Sequence, residues 1–264
     1  AGPLSPPVIP RRATSSRITV MSTTPQVSVI TVSFNAMAAL PDTLASLRTQ
    51  RGVSYEWVVV DGASTDGSAA WCAAQQPDAF VSEPDRGIYD AMNKAVGLAR
   101  GEWVYFLNAG DRLADERTLA DLVAAARPED GLVYGDAVYF GEQGERRKRF
   151  DWVSARNLVY GDLCHQAVLA RRRLFASVGP FDLAYRYNAD FDWLLKVVAT
   201  GAGMRYVPRD VAYFHDAGAH VANAQKSESE RDVVRARHCP RWRWLLGHGA
   251  LRMRLKLRRS LGWT

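Results

Sequence analysis

Val27-Ser28-Val29-Ile30-Thr31-Val32-Ser33-Phe34-Asn35 is a short apolar run that stops on polar residues. Apolar side chains on both faces of so short a segment mark a strand covered from both sides, since a strand with one wet face would alternate. A helical pattern follows, with Pro41 in its first turn, where a missing N–H is tolerated, and Leu40, Leu44 and Leu47 on one face. Trp57-Val58-Val59-Val60 repeats the apolar run and closes on Asp61-Gly62; the next helical stretch begins near Asp66 and carries Ala69, Ala70 and Ala73. Further strands are expected over 80–82, 103–107 and 132–134, separated by helices over 88–99 and 119–126. This alternation predicts an α/β fold, a mainly parallel sheet with helices on both faces.

Beyond Tyr139 the expected strands are short and polar, and Glu145 to Arg149 form a charged turn or edge. A last clear helix is expected over about 190–200, where Phe191, Leu194, Leu195 and Val198 recur at helical spacing. Residues 1–25 are rich in Pro, Ser and Thr, carry Arg11, Arg12 and Arg17, and read as a flexible leader in which Met21 could be the true start. The expected organisation is therefore a leader, one domain over 26–222, and a helical basic tail over 223–264.

At 264 residues and 47% hydrophobic content, the chain can bury one substantial core and is too short for two ordinary domains with linkers. Its formal charge of +6 calls for an anionic partner, whether nucleotide phosphate, lipid head group or nucleic acid. Cys72, Cys164 and Cys239 are far apart and form no CxxC pair, which fits a reducing compartment. No apolar run approaches the roughly 20 residues of a membrane span, and residues 1–25 lack a signal-peptide core, so a cytoplasmic location is expected. No GxGxxG follows the first strand, which counts strongly against a nicotinamide oxidoreductase reading.

Ligands of open α/β sheets bind outside the carboxyl ends of the strands, so acids just after the apolar runs are the first candidates. Asp61 follows Val58-Val59-Val60, and Asp111 follows Phe106-Leu107-Asn108-Ala109-Gly110; each is also an ordinary turn residue.

The segments 27–35, 58–68 (Val-Val-Val-Asp-Gly-Ala-Ser-Thr-Asp-Gly-Ser), 85–95 (Asp-Arg-Gly-Ile-Tyr-Asp-Ala-Met-Asn-Lys-Ala) and 106–111 (Phe-Leu-Asn-Ala-Gly-Asp) resemble, in this order, the family 2 glycosyltransferases. Gly87-Ile88-Tyr89-Asp90-Ala91-Met92-Asn93-Lys94 is similar to bacterial members that build exopolysaccharides, O-antigens and envelope glycolipids. The resemblance implies a GT-A fold, a nucleoside-diphosphate-sugar donor (UDP-, GDP- or TDP-linked), a divalent cation (Mn2+ or Mg2+) and inversion at the anomeric carbon. It implies donor-binding roles for Ser33, Asn35, Asp61, Arg86, Asp90, Asn93 and Asn108, with Asp61 toward the nucleoside base. The family's metal motif ends in two adjacent acids; here the first position is Gly110, which leaves Asp111 as the implied ligand.

Asn188-Ala189-Asp190-Phe191-Asp192-Trp193 resembles the family's Glu-Asp-x-Asp motif with Ala189 in place of Glu, which puts the catalytic base on Asp190. Acids in a first helical turn are also favoured by the macrodipole, an account that suits Asp192 and Asn188. Asp90 and Lys94 could form only an i,i+4 ion pair, and Ile88, Met92, Ala95 and Ala99 are spaced for packing. Cys164-His165-Gln166 resembles an acceptor-side segment of relatives; His165 either meets acceptor hydroxyls or hydrogen-bonds within the fold. His215 and His220 flank a segment from which either could complete a metal shell.

From Arg241 onward Trp242, Trp244, Leu245, Leu246, Leu251 and Leu255 interleave with Arg252, Arg254, Lys256, Arg258 and Arg259, a pattern suited to an anionic membrane surface. The expected partners are thus a nucleotide sugar, a glycan or lipid-linked acceptor and the inner membrane face, without nucleic acid. The rival reading is a basic membrane- or nucleic-acid-binding module in which the tail carries the function.

Overall fold

The computed structural model describes residues 24–141, 144–215 and 223–240, together with Gly247 and Met253. Strand β1 (Val27–Ser33) is buried along its whole length and lies between β2 (Tyr55–Asp61) and β4 (Trp103–Phe106), parallel to both. β3 (Ala79–Ser82) extends the parallel half beside β2. Helices α1 (Leu40–Arg48), α2 (Ser68–Ala74) and α3 (Ile88–Leu98) connect these strands, as the alternating pattern requires. Met92 and Ala95 of α3 are buried as expected, whereas Ile88 at its first position is 45% exposed.

The far ends of these strands, opposite the site described below, are fixed by one buried carboxylate. Glu56 Oε1 accepts from Ser28 Oγ at 2.5 Å and from the Arg100 N–H at 2.5 Å, and Oε2 accepts from Arg100 Nε at 2.7 Å. Gly101 completes this junction, since a Cβ there would stand 2.5 Å from the Ser28 nitrogen.

The second half of the sheet departs from the mainly parallel expectation. β6 (Asp130–Gly141) pairs parallel with β9 (Gly203–His215) but antiparallel with β8 (Val168–Arg171) and with the edge strand β7 (Gly144–Lys148). β8 runs antiparallel to β4 and joins the two halves; β5 (Arg112–Leu113) closes the order β3-β2-β1-β4-β8-β6-β9-β5. The sheet is therefore mixed, parallel from β3 to β4 and largely antiparallel beyond.

β9 also overturns the expectation that strands beyond Tyr139 are short, since it runs for 13 residues. Its charges escape an apolar-run criterion because they are paired: Arg205 with Asp130, Arg209 with Asp115 and Asp121, and Asp210 with Arg147. The β6/β9 register shifts between Tyr134 and Asp136, where a Cβ on Gly135 would lie 2.6 Å from the Arg209 carbonyl. Helix α4 (Thr118–Ala125) precedes β6, α5 (Arg173–Val178) follows β8, and α6 (Ala189–Ala199) precedes β9.

The first part of the expected tail is not an appendage. Residues 224–238 form α7 (Ala224–His238), which packs on α6, buries Val234 and places His238 Nε2 at 2.7 Å from the fully buried Asp192. The Trp- and Arg-rich segment from Arg241, and His220, lie outside the described residues except for Gly247 and Met253. No helix among the described residues is long and apolar enough to cross a membrane.

Candidate functional site

The carboxyl ends of β1, β2 and β4 meet along one edge, and the polar residues that end them are tied into a single frame. Asp61, at the end of β2, is fully buried; its carboxylate accepts from the Ser64 N–H (2.9 Å), Ser64 Oγ (2.5 Å) and Ser82 Oγ (2.8 Å). Ser33 stands beside Asp61 in register. Asn35 adopts a left-handed conformation (φ 47°), which Asn tolerates, and its Oδ1 accepts the Thr65 N–H at 2.9 Å while its own N–H donates to Ser64 Oγ at 2.8 Å. Asp66 accepts from the Met37 N–H at 3.0 Å and from Ser68 Oγ at 2.6 Å. The loops after β1 and β2 are thereby locked to each other. A nucleoside base could reach the Asp61 oxygens only by sharing them with Ser64 and Ser82, which a carboxylate's lone pairs permit.

The loop before α3 supplies a second wall. Asp90 accepts from the Arg86 N–H (3.1 Å) and from Arg86 Nη2 (3.0 Å), and Lys94 pairs with Glu83 at 2.8 Å. Arg86 holds the Asp90 carboxyl below the usual range, first through its side-chain bond. The Arg86 side chain is otherwise 76% exposed. Asn93, expected on the donor side, has its amide engaged within the fold: Nδ2 donates to the Phe181 carbonyl and Oδ1 accepts the Phe181 N–H, both at 2.9 Å. Its amide holds the 181 loop on α3.

The third wall joins residues from distant parts of the chain. His165 Nδ1 lies 2.8 Å from Asp190 Oδ2, and its Nε2 lies 3.4 Å from Asn108 Nδ2. Tyr89 Oη is 2.7 Å from Asp190 Oδ1 and 2.9 Å from the Tyr187 carbonyl. Burial alone would raise the Asp190 pKa, but His165 and then Tyr89 hold it below the usual range. Burial would likewise lower His165, yet its pairing with Asp190 raises it. The two groups thus favour each other's charged forms.

Asp111 completes the line. It is buried, its Oδ1 accepts the His215 N–H at 3.2 Å, and Gln166 hydrogen-bonds to its carboxyl. Burial pushes its pKa up to about 7, against the opposing effects of the His215 N–H, His165 and Gln166. Beside it, Asn108 Oδ1 and, on β1, Ser33 Oγ are buried without a hydrogen-bond partner. Buried oxygens of this kind are costly unless something binds them. Among the described residues no cluster of three or more His, Cys, Asp or Glu side chains forms a closed metal cage. One hard, proton-retaining carboxylate beside orphaned oxygens fits a cation that draws its remaining ligands from phosphate and water.

Hydrogen bonds and neighbouring strand ends therefore run from Asp61 and Ser33 across β4 to Asn108, and through His165 to Asp190, with Gln166 linking to Asp111. Sequence reasoning missed Tyr89, read only as part of a motif, and the charged groups of α7 that grip the site loops; neither residue type nor spacing signals them.

Residues 28–178 match the description Glycosyl transferase family 2. The PGL/p-HBAD biosynthesis glycosyltransferase of Mycobacterium tuberculosis (strain ATCC 25177 / H37Ra) is 36% identical over 207 residues, covering 74% of this chain and 78% of the relative. The crystal structure of S. aureus TarS 1-349 with UDP-GlcNAc superposes with a TM-score of 0.63 at 19% identity, over 79% of this chain and 65% of that one. This chain thus spans just under two thirds of that solved chain. Glucosyl-3-phosphoglycerate synthase from Mycobacterium tuberculosis, solved with Mn2+, UDP and glucosyl-3-phosphoglycerate, superposes with a TM-score of 0.58 at 19% identity, over 80% of each chain. At such identities the structural likeness concerns the fold.

Proposed function

The chain belongs to glycosyl transferase family 2, with a GT-A fold, and we propose that it moves a sugar with inversion from a nucleoside diphosphate to a glycan or lipid-linked acceptor in envelope or polysaccharide biosynthesis. The observation that carries this reading is the convergence of Asp190, His165, Asn108 and Asp111 at the carboxyl ends of the sheet. The neighbours solved with UDP-GlcNAc or with UDP and Mn2+ favour a nucleotide-sugar donor and a divalent cation.

The donor lies in the frame built by Ser33, Asn35 and Asp61, with its diphosphate toward Arg86 and Asn108. Arg86 carries its charge into solvent from this wall, so it can turn toward the phosphates by giving up little more than its bond to Asp90. Asp111 would hold Mn2+ or Mg2+, which when bound supplies positive charge against the leaving diphosphate. His215 is a further candidate ligand, since its N–H already donates to Asp111.

The acceptor hydroxyl oxygen forms the new bond to the anomeric carbon as the bond from that carbon to the diphosphate oxygen breaks, and the nucleoside diphosphate leaves with the electron pair. The hydroxyl proton passes to Asp190. This carboxylate stays ionised at neutral pH, and Tyr89 and His165 fix both of its oxygens, so little reorganisation precedes proton transfer. His165 and Gln166 line the acceptor side. The basic residues of the expected tail would bring the enzyme to an anionic membrane carrying a lipid-linked acceptor.

The test is donor turnover by the intact protein across UDP-, GDP- and TDP-sugars with Mn2+, alongside thermal shift with the same panel. One donor should stabilise the fold and be consumed in the presence of acceptor. Asp190→Asn should lower transfer by about 10²- to 10⁴-fold with donor affinity retained. Transfer at the wild-type rate by that variant would remove Asp190 as base.

A further inference from the structure

Two adjacent residues of α7 reach the two loops that carry His165 and Asp190. Glu230 Oε1 accepts the N–H groups of Tyr187 and Asn188, and Oε2 accepts that of Arg186, all at 2.7 Å. A carboxylate taking three successive backbone N–H groups makes strong charge-assisted bonds and fixes the chain that donates them. That chain is the turn leading directly into Asp190, and its Tyr187 carbonyl sits 2.9 Å from the Tyr89 hydroxyl that also touches Asp190. Asn188 adds a bond from Nδ2 to the Ser227 carbonyl of the same helix at 2.9 Å.

Arg231 works on the other loop. Its guanidinium pairs with Asp162, and it lies 4.6 Å over the ring of Phe191, the residue after Asp190. Asp162 also accepts from Lys148 Nζ at 2.5 Å. Burial would raise this carboxyl, yet Arg231 and Lys148 hold it well below the usual range, so the pair is charged and tightly held. Asp162 stands at the head of the segment Asp162-Leu163-Cys164-His165.

α7 has little apolar anchorage. Val234 is its one buried apolar residue, and its other attachments are polar: the bonds to the two loops, His238 to Asp192 of α6 and Arg237 to Asp182 and Tyr185. A helix placed only to extend the core would be anchored by apolar side chains.

We infer that α7 is a clamp on the catalytic pair: Glu230 and Arg231 are positioning residues that set how His165 meets Asp190, and so set the rate of transfer. The inference rests on Asp190 acting as base, and it makes the residues after 223 part of the machinery. A displacement of about 1 Å at such a pair can cost on the order of 10²-fold in rate.

The experiment uses the full chain with Glu230→Ala, Glu230→Gln, Arg231→Met and the control Glu228→Gln, whose native partner is Arg235 on the same helix. Steady-state kinetics give kcat and donor KM, and spectra of histidine-labelled protein report the His165 ring, assigned with His165→Asn. Glu230→Ala and Arg231→Met should lower kcat on the order of 10- to 10²-fold with donor KM nearly unchanged, and should move the His165 ring signals. Glu230→Gln keeps one acceptor for Tyr187 and Asn188 and should recover most of the rate. Glu228→Gln should match wild type.

Unmoved ring signals, or a kcat that falls only with the folded fraction, overturn the clamp. If Glu230→Ala does not fold, Arg231→Met decides by the same readouts. Asp190→Asn inactive beside Glu230→Ala at full rate sinks the clamp alone; Asp190→Asn at full rate sinks the reading on which it rests.

Discussion

His165 Nδ1 and Asp190 Oδ2 lie 2.8 Å apart although one opens a 3₁₀ turn before β8 and the other lies in the first turn of α6. When the ring is neutral, a proton on Nδ1 directed at Asp190 leaves Nε2 free to accept from Asn108 Nδ2, 3.4 Å away; in the charged ring Nε2 is itself a donor. The imidazole therefore spans from the expected base to the end of β4, and its orientation is set from both sides.

That pairing makes stability depend on pH in a defined window. Pairing with Asp190, against burial, raises the His165 pKa, so this contribution is complete below the ordinary value near 6.5 and fades as pH rises past the raised one. His165 and Tyr89, against burial, lower the Asp190 pKa, so that contribution is present above the ordinary carboxylate value and is lost as pH falls through the lowered one. His165→Asn should therefore cost about 2 kcal/mol between roughly pH 4 and 6.5, and less on either side. Thermal unfolding of both proteins from acid to alkaline pH measures this; a difference flat across the range rules out an ionised pair.

The first half of the fold could be read because its strands are covered on both faces, so Val27–Ser33 and the run ending at Asp61 appear as unbroken apolar segments. The second half hides its strands, since Arg205, Arg209 and Asp210 neutralise themselves against partners far along the chain. The acids at strand ends were visible one by one. Which of them share a wall was not, because the meeting of His165 with Asp190 depends on β8 inserting antiparallel between β4 and β6. Spacing also could not show that the Asn93 amide is taken by Phe181, or that α7 grips the loops beside it.

Arg86 and Asn93, close in sequence, should separate binding from stability. Arg86 is exposed, so Arg86→Ala should change stability by no more than about 0.5 kcal/mol. Deprived of a charge-assisted bond to the diphosphate, the same variant should bind nucleotide about tenfold more weakly, or worse. Asn93→Ala removes both bonds to the Phe181 backbone and should destabilise by about 2 kcal/mol. Titration calorimetry with UDP and thermal unfolding of both variants would show the split. The reverse pattern would put Asn93 on the ligand and Arg86 in the fold.

Asp111 carries an unfavourable charge whenever no cation balances it. Burial raises its pKa to about 7, so between the ordinary carboxylate value and about 7 the folded state holds a proton that the unfolded state has released. Metal-free protein should accordingly lose stability as pH rises through that interval and remain penalised above it, by up to a few kcal/mol. Asp111→Asn keeps an acceptor for the His215 N–H but carries no charge, so at pH 8 in chelator it should melt higher than wild type. Mn2+ should raise the wild-type melting temperature and leave the variant unchanged, and the wild-type response should weaken below about pH 6 as protons compete for the carboxylate. Equal Mn2+ responses in the two proteins would show that the cation binds elsewhere.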